Sequence, residues 1–257
     1  MTANTRGFMD CNTKTVRTAI GVLLLILASI SIAPINAKDV SPGPVADPHY
    51  NGVGFFDIHI CNWPDRPLHV MALFSTTHFD DLDSVEILMP NQKPIGHLGL
   101  NKFRLAQTKD KKEKHVFISR FDIPTVASDG WYIAKIKMKN GKTYIAKDYV
   151  IIHTMPWVTD INPPNGAEDI PIPAELSWKP VPGAKYYQVF IRDLWKAKLV
   201  YTSKPLDKPH LKLPKGLIEP GGEYEWRIHA REGGENSLLG DFNHGSLTNA
   251  AFFSTTN

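Results

Sequence analysis

His59 and Cys61 lie two positions apart, a spacing that puts side chains on the same side of an extended strand. A thiol beside an imidazole can act as a thiolate nucleophile, and the same pair can begin a metal site. A metal would need further donors, which His69 and His78 supply only if folding brings them in. Without them the pair reads as a half-buried Cys and a surface His, and that is the expectation taken forward.

The carboxylates are read the same way. Asp80, Asp81 and Asp83 follow Phe79 as a short acidic run. Calcium asks for several oxygens at fixed spacing, which this run lacks, so a solvated turn is expected. Glu223, Glu225, Asp57 and Asp122 are the chain's nearest approach to a glycosidase carboxylate pair. Glu223 and Glu225 alternate with apolar residues beside Arg227 and His229, as on the charged outer side of a sheet. The run Lys109-Asp110-Lys111-Lys112-Glu113-Lys114 mixes signs as a solvated hairpin tip does.

No nucleophile elbow, zinc-protease His pair, phosphate loop or dinucleotide glycine motif occurs. Gly52-Val53-Gly54 is a lone Gly-x-Gly, read as a flexible entry to a strand. We therefore expect no catalytic residue, no cofactor and no metal. The binding candidates are aromatic: Trp195, in Arg192-Asp193-Leu194-Trp195-Lys196, and Trp63, in Cys61-Asn62-Trp63-Pro64, with Trp131 a further choice for sugar stacking.

These residues sit in period-two patterns. Phe56, Ile58 and Ile60 alternate with Asp57, His59 and Cys61; Leu68, Val70, Ala72 and Phe74 share a face, as do Val85, Ile87 and Met89. Around residue 118 the inward set is either Val116 and Ile118 or Phe117 and Phe121. In Trp131–Lys139, Tyr132, Ala134, Ile136 and Met138 oppose Lys135, Lys137 and Lys139. Asn140-Gly141 then predicts a tight type I′ hairpin into Lys142–Ile152. The Pro-, Asn- and Gly-dense stretch Met155–Asp169 marks a boundary near Met155–Pro156.

The C-terminal half carries an ordered series of motifs: Leu176-Ser177-Trp178-x-Pro180, then Ala184-x-Tyr186-Tyr187-x-Val189-x-Ile191, then Ile218-x-Pro220-Gly221-x-x-Tyr224. This series resembles the fibronectin type III domains, a branch of the immunoglobulin-like sandwiches. The resemblance implies that Trp178 fills the core between sheets, that Tyr187, Val189 and Ile191 point inward, and that the Tyr224 hydroxyl bonds back to upstream backbone. Phe252 and Phe253 fall in the last strand. The long polar stretch Glu232–Asn249 departs from the family pattern and puts the geometry of the last hairpin in question. The N-terminal half, with Gly130-Trp131-Tyr132 before its Asn-Gly turn, resembles a generic immunoglobulin-like sandwich.

Ahead of both halves, Ala19–Ala33 is an uncharged apolar run preceded by Lys14 and Arg17 and followed by Pro34-Ile35-Asn36-Ala37. This is the layout of a secretory signal, cut after Ala37; the alternative is an uncleaved membrane anchor. The formal net charge of the 257 residues is +3, and much of it lies in this leader, so no basic stripe for nucleic acid remains. With Cys11 in the leader, the mature chain keeps only Cys61 and forms no internal disulfide. No Asn-x-Ser/Thr acceptor occurs. The expected organisation is a signal peptide (1–37), a linker (38–52), an immunoglobulin-like β-sandwich (53–154) and a fibronectin type III-like β-sandwich (155–257), an all-β fold. The expected function is that of an exported, non-catalytic interaction module in the periplasm or outside the cell, its organism bacterial. It would bind a protein partner, with polysaccharide as the alternative ligand, no nucleic acid, and membrane only through an uncleaved leader. An enzyme using Cys61 is the third class.

Overall fold

The computed structural model describes residues 47–108, 110–233 and 243–257. The signal segment, most of the linker and part of the polar stretch after Glu232 lie outside the described residues.

The described chain is built of strands. The N-terminal half holds β1 (Tyr50–Asn51), β2 (Gly54–Asn62), β3 (His69–Thr76), β4 (Leu82–Leu88), β5 (Pro94–His97), β6 (Phe103–Gln107), β7 (Glu113–Asp122), β8 (Gly130–Met138) and β9 (Thr143–Val150). The C-terminal half holds β10 (Ala167–Ile170), β11 (Glu175–Ser177), β12 (Tyr186–Asp193), β13 (Lys198–Thr202), β14 (His210–Lys212), β15 (Glu223–Arg231), β16 (His244–Leu247) and β17 (Ala251–Thr255). A single 3-10 turn, Phe79–Asp81, is the one helical element among the described residues. No helix among them is long and apolar enough to cross a membrane.

In the N-terminal half β2, β3, β7 and β6 form one layer, and β5, β4, β8 and β9 the facing layer. Alternation buries one side of each: Phe56, Ile58, Ile60, Val70, Ala72, Phe74, Val85, Ile87, Tyr132 and Ile136 meet in one core. Phe117 and Phe121 are the inward residues of β7, which decides that choice. Gly54 is no flexible entry. It starts β2, and a Cβ there would lie 2.5 Å from the Phe74 ring and 2.6 Å from the Ser75 carbonyl. The end of the expected linker is likewise structured, since β1 pairs with the start of β2.

The C-terminal half is a fibronectin type III-like sandwich. Trp178 packs edge-on to Tyr187 at 5.3 Å between the layers, and Tyr187, Val189 and Ile191 point into the same core. The Tyr224 hydroxyl accepts the Glu219 amide at 2.8 Å while its ring stays buried. The Tyr187 hydroxyl accepts the Val181 amide in the same way, at 2.9 Å.

The last hairpin has an unusual return. β15 pairs with β17 over Glu223–Trp226 and with β16 over His229–Arg231, so the returning strand is broken at residues 248–250. The far edge of β16 pairs in parallel with β2, His244 opposite Ile60 and Ser246 opposite Asn62. The two halves thereby share one eleven-stranded sheet. A third apolar cluster, Cys61, Trp63, Met71 and Leu247, seals this seam.

The Asn140-Gly141 hairpin forms, but not as a two-residue type I′ turn. Gly141 donates to the Met138 carbonyl and Met138 to that of Lys142, each at 2.9 Å, and Gly141 has φ +82°. Asn140 is not in the positive-φ region, which type I′ requires. The loop is one residue longer, with glycine in the left-handed position.

Candidate functional site

That extra residue sets the register of β8 against β9. Trp131 lies opposite Tyr149, Ile133 opposite Lys147, and Lys135 opposite Ile145. All project from the outer side of the sheet, because their alternating neighbours fill the core. Trp131 and Tyr149 are 46% and 47% exposed and meet edge to face, their centroids 5.3 Å apart at 78°. Exposed Ile145 continues the strip, and the exposed Lys135, Lys137 and Lys147 flank it. Asp83 holds Lys137 at 3.1 Å, and Glu86 lies 3.9 Å from Lys135. The result is an apolar, aromatic strip with a charged margin of mixed sign.

The two expected binding tryptophans part company. Trp195 is 71% exposed, in the turn between β12 and β13. Trp63 is only 6% exposed, so the expectation of a binding surface there is corrected. Its ring packs edge-on to His69 and lies 4.7 Å beneath the Arg120 guanidinium. The chain after β2 turns back over the seam, and burial in the third cluster outcompetes exposure.

His59 and Cys61 are also buried, not half exposed. His69 pairs directly opposite Cys61 on β3, while His59 bonds the Asp57 carboxylate at 2.7 Å. Burial pushes the Cys61 thiol up to about 12, which leaves it a poor nucleophile. His78 flanks the 3-10 turn and does not join them. Asp80 and Asp81 form that turn, where Lys139 donates to the Asp80 carbonyl. Glu225 is held by Arg227 at 3.0 Å. The face it shares with His229 is largely buried, a correction to the solvated face expected for β15. Arg231 bridges Gln188 at 2.6 Å and the His229 Nδ1 at 3.1 Å, and burial and this guanidinium hold His229 neutral.

Two sets of side chains among the described residues bring three metal-competent donors together. In the first, His49 lies between Asp47 at 2.7 Å and Asp148 at 3.1 Å, with Asp57 nearby. The other oxygen of Asp148 accepts the Ile58 amide at 2.7 Å. Burial opposes charge on His49, but the bonds to Asp148 and Asp47 outweigh it and raise the ring to about 9. In the second, His153, Glu232 and His244 meet where the two halves join. His244 contacts the Glu232 carboxylate through Nδ1 and donates to the Ile151 carbonyl through Nε2 at 2.5 Å. The rings of His153 and His244 are 3.5 Å apart at 44°. Both sets escape a sequence reading because their members are far apart in the chain.

No family model and no curated protein matches this sequence. Among solved structures, the chain is similar to the FN1–FN3 domains of chicken CNTN1, with 11% identity, 80% of this chain covered and a TM-score of 0.28. It is also similar to Tp47, the 47-kilodalton lipoprotein of Treponema pallidum, with 9% identity, 78% covered and a TM-score of 0.37. The chain spans 65% and 50% of those two chains. The fold follows from this chain's own strand pairing and cores.

Proposed function

We propose that this chain is an exported, non-catalytic interaction protein of the bacterial cell envelope, binding a protein partner through the outer face of β8 and β9. The observation that carries the reading is the exposed Trp131–Tyr149 pair with Lys135, Lys137 and Lys147 at its margin. Trp and Tyr are the residue types that most often anchor protein interfaces, since each offers large area at low entropic cost. The lysines, with Asp83 and Glu86 among them, give the strip a charged margin that favours a partner with complementary polar and charged groups around an apolar centre. The 78° angle between the rings gives no flat platform for a sugar, which favours protein over polysaccharide at this face. Trp195, alone on its turn, is the second candidate contact.

The test is capture from envelope extract by the tagged full chain, comparing Trp131→Ala, Tyr149→Ala and Trp195→Ala. Support is one protein partner, identified by mass, that is lost with Trp131→Ala and Tyr149→Ala and weakened by added salt. Retention of that partner by both variants, or recovery of polysaccharide released only by Trp195→Ala, overturns this assignment of the face.

A further inference from the structure

We propose that His153, Glu232 and His244 form a binding site for a divalent transition ion of the zinc class, clamping the junction between the two sandwiches. The donor set is two imidazoles and one carboxylate, which zinc takes in three-residue sites that keep a fourth position open. One donor atom from each residue lies within 4.8 Å of the others. Small side-chain adjustments bring such a trio to the roughly 2 Å bonds zinc makes.

The geometry around His244 is that of a ligating imidazole. A metal-bound His usually gives its second ring N–H to a carbonyl or carboxylate, which fixes both tautomer and orientation. Here Nε2 donates to the Ile151 carbonyl at 2.5 Å, and this turns Nδ1 toward Glu232. The backbone holds the donors in place as well. Glu232 donates its amide to the His244 carbonyl at 2.9 Å, and Ile60 on β2 donates to Asn243 at 2.8 Å. His153 enters from the segment between the halves and is exposed, so its side of the site is open to solvent.

The His49 set lacks these properties. Both nitrogens of His49 are held by carboxylates, Asp47 and Asp148, and one Asp148 oxygen is engaged by the Ile58 amide, so a metal there would have to displace a buried hydrogen-bond network. It serves as an internal control.

The experiment is titration of the metal-free full chain with zinc by calorimetry, and with cobalt(II) followed by visible absorption. One equivalent should bind, with a tetrahedral or five-coordinate cobalt spectrum and a rise in the unfolding midpoint. His153→Ala and Glu232→Gln should each weaken binding at least about tenfold, and His49→Asn should leave it unchanged. Because His153 is exposed, His153→Ala should keep the unfolding midpoint of the metal-free protein. No saturable binding below about 100 μM zinc overturns the proposal. So does binding equally tight in wild type and in both variants, which would place the ion on other histidines.

Discussion

His49 is charged in the folded chain because Asp47 and Asp148 hold its two nitrogens, and its folded value of about 9 exceeds the ordinary 6.5. A raised value stabilises the fold fully below pH 6.5 and loses that contribution as pH climbs toward 9. Allowing for solvent screening, the loss is about 1–2 kcal/mol. His229 works in the opposite sense. It is held neutral, so the unfolded state takes up a proton below its ordinary value and stability falls on acidification. Denaturant midpoints measured against pH should therefore fall on both sides of neutrality, and His49→Asn should flatten only the alkaline side. The thiol of Cys61 should react with an alkylating agent only as fast as the protein unfolds, since it is fully buried and strongly protonated. Rapid alkylation of the native protein would contradict this placement. Tyr224→Phe removes the bond to the Glu219 amide and should cost about 1 kcal/mol, read from the same midpoints.

At the scale of elements, two glycines separate kinds of strain. Gly141 adopts φ +82° and an added Cβ meets nothing within 4 Å, so Gly141→Ala pays only the backbone term, about 1 kcal/mol. Gly54→Ala drives a Cβ into the Phe74 ring and the Ser75 carbonyl, and should cost more, about 2–3 kcal/mol. Reversal of that order in equilibrium unfolding would show the β2–β3 contact to be looser than it is here. The same hairpin shows what the sequence could and could not tell. Alternation of Tyr132, Ala134, Ile136 and Met138 was enough to place Trp131 on the outer side with the lysines. The partner strand's register depended on whether the loop took two residues or three. A one-residue difference moves every opposite side chain to the other face. Trp131 therefore meets Tyr149 only with the longer loop. Trp178, Tyr187 and Tyr224 were legible for the opposite reason, since each is fixed by contacts within its own half.

At the scale of the molecule, the seam between β16 and β2 ties two cores into one sheet. Unfolding followed by calorimetry should show a single cooperative transition. Gly245→Pro removes the donor that β16 directs at β2 and should split that transition in two. Two transitions in the wild type would mean that the seam contributes little. The seam was not legible, because alternation and turn residues report on neighbours along the chain. β2 and β16 are instead joined across roughly 180 positions, at a contact order no local signal encodes. The burial of Trp63 and Cys61 follows from that contact, which alternation within β2 does not report.

The parallel ladder also sets an order of events. As the chain emerges from its N-terminus, the first sandwich can close long before His244 arrives, and until then the Ile60–Asn62 end of β2 presents unsatisfied backbone donors and acceptors. A nascent or clipped chain lacking β16 is thus a folded body with one adhesive flank. Completion of the second sandwich is what masks that flank.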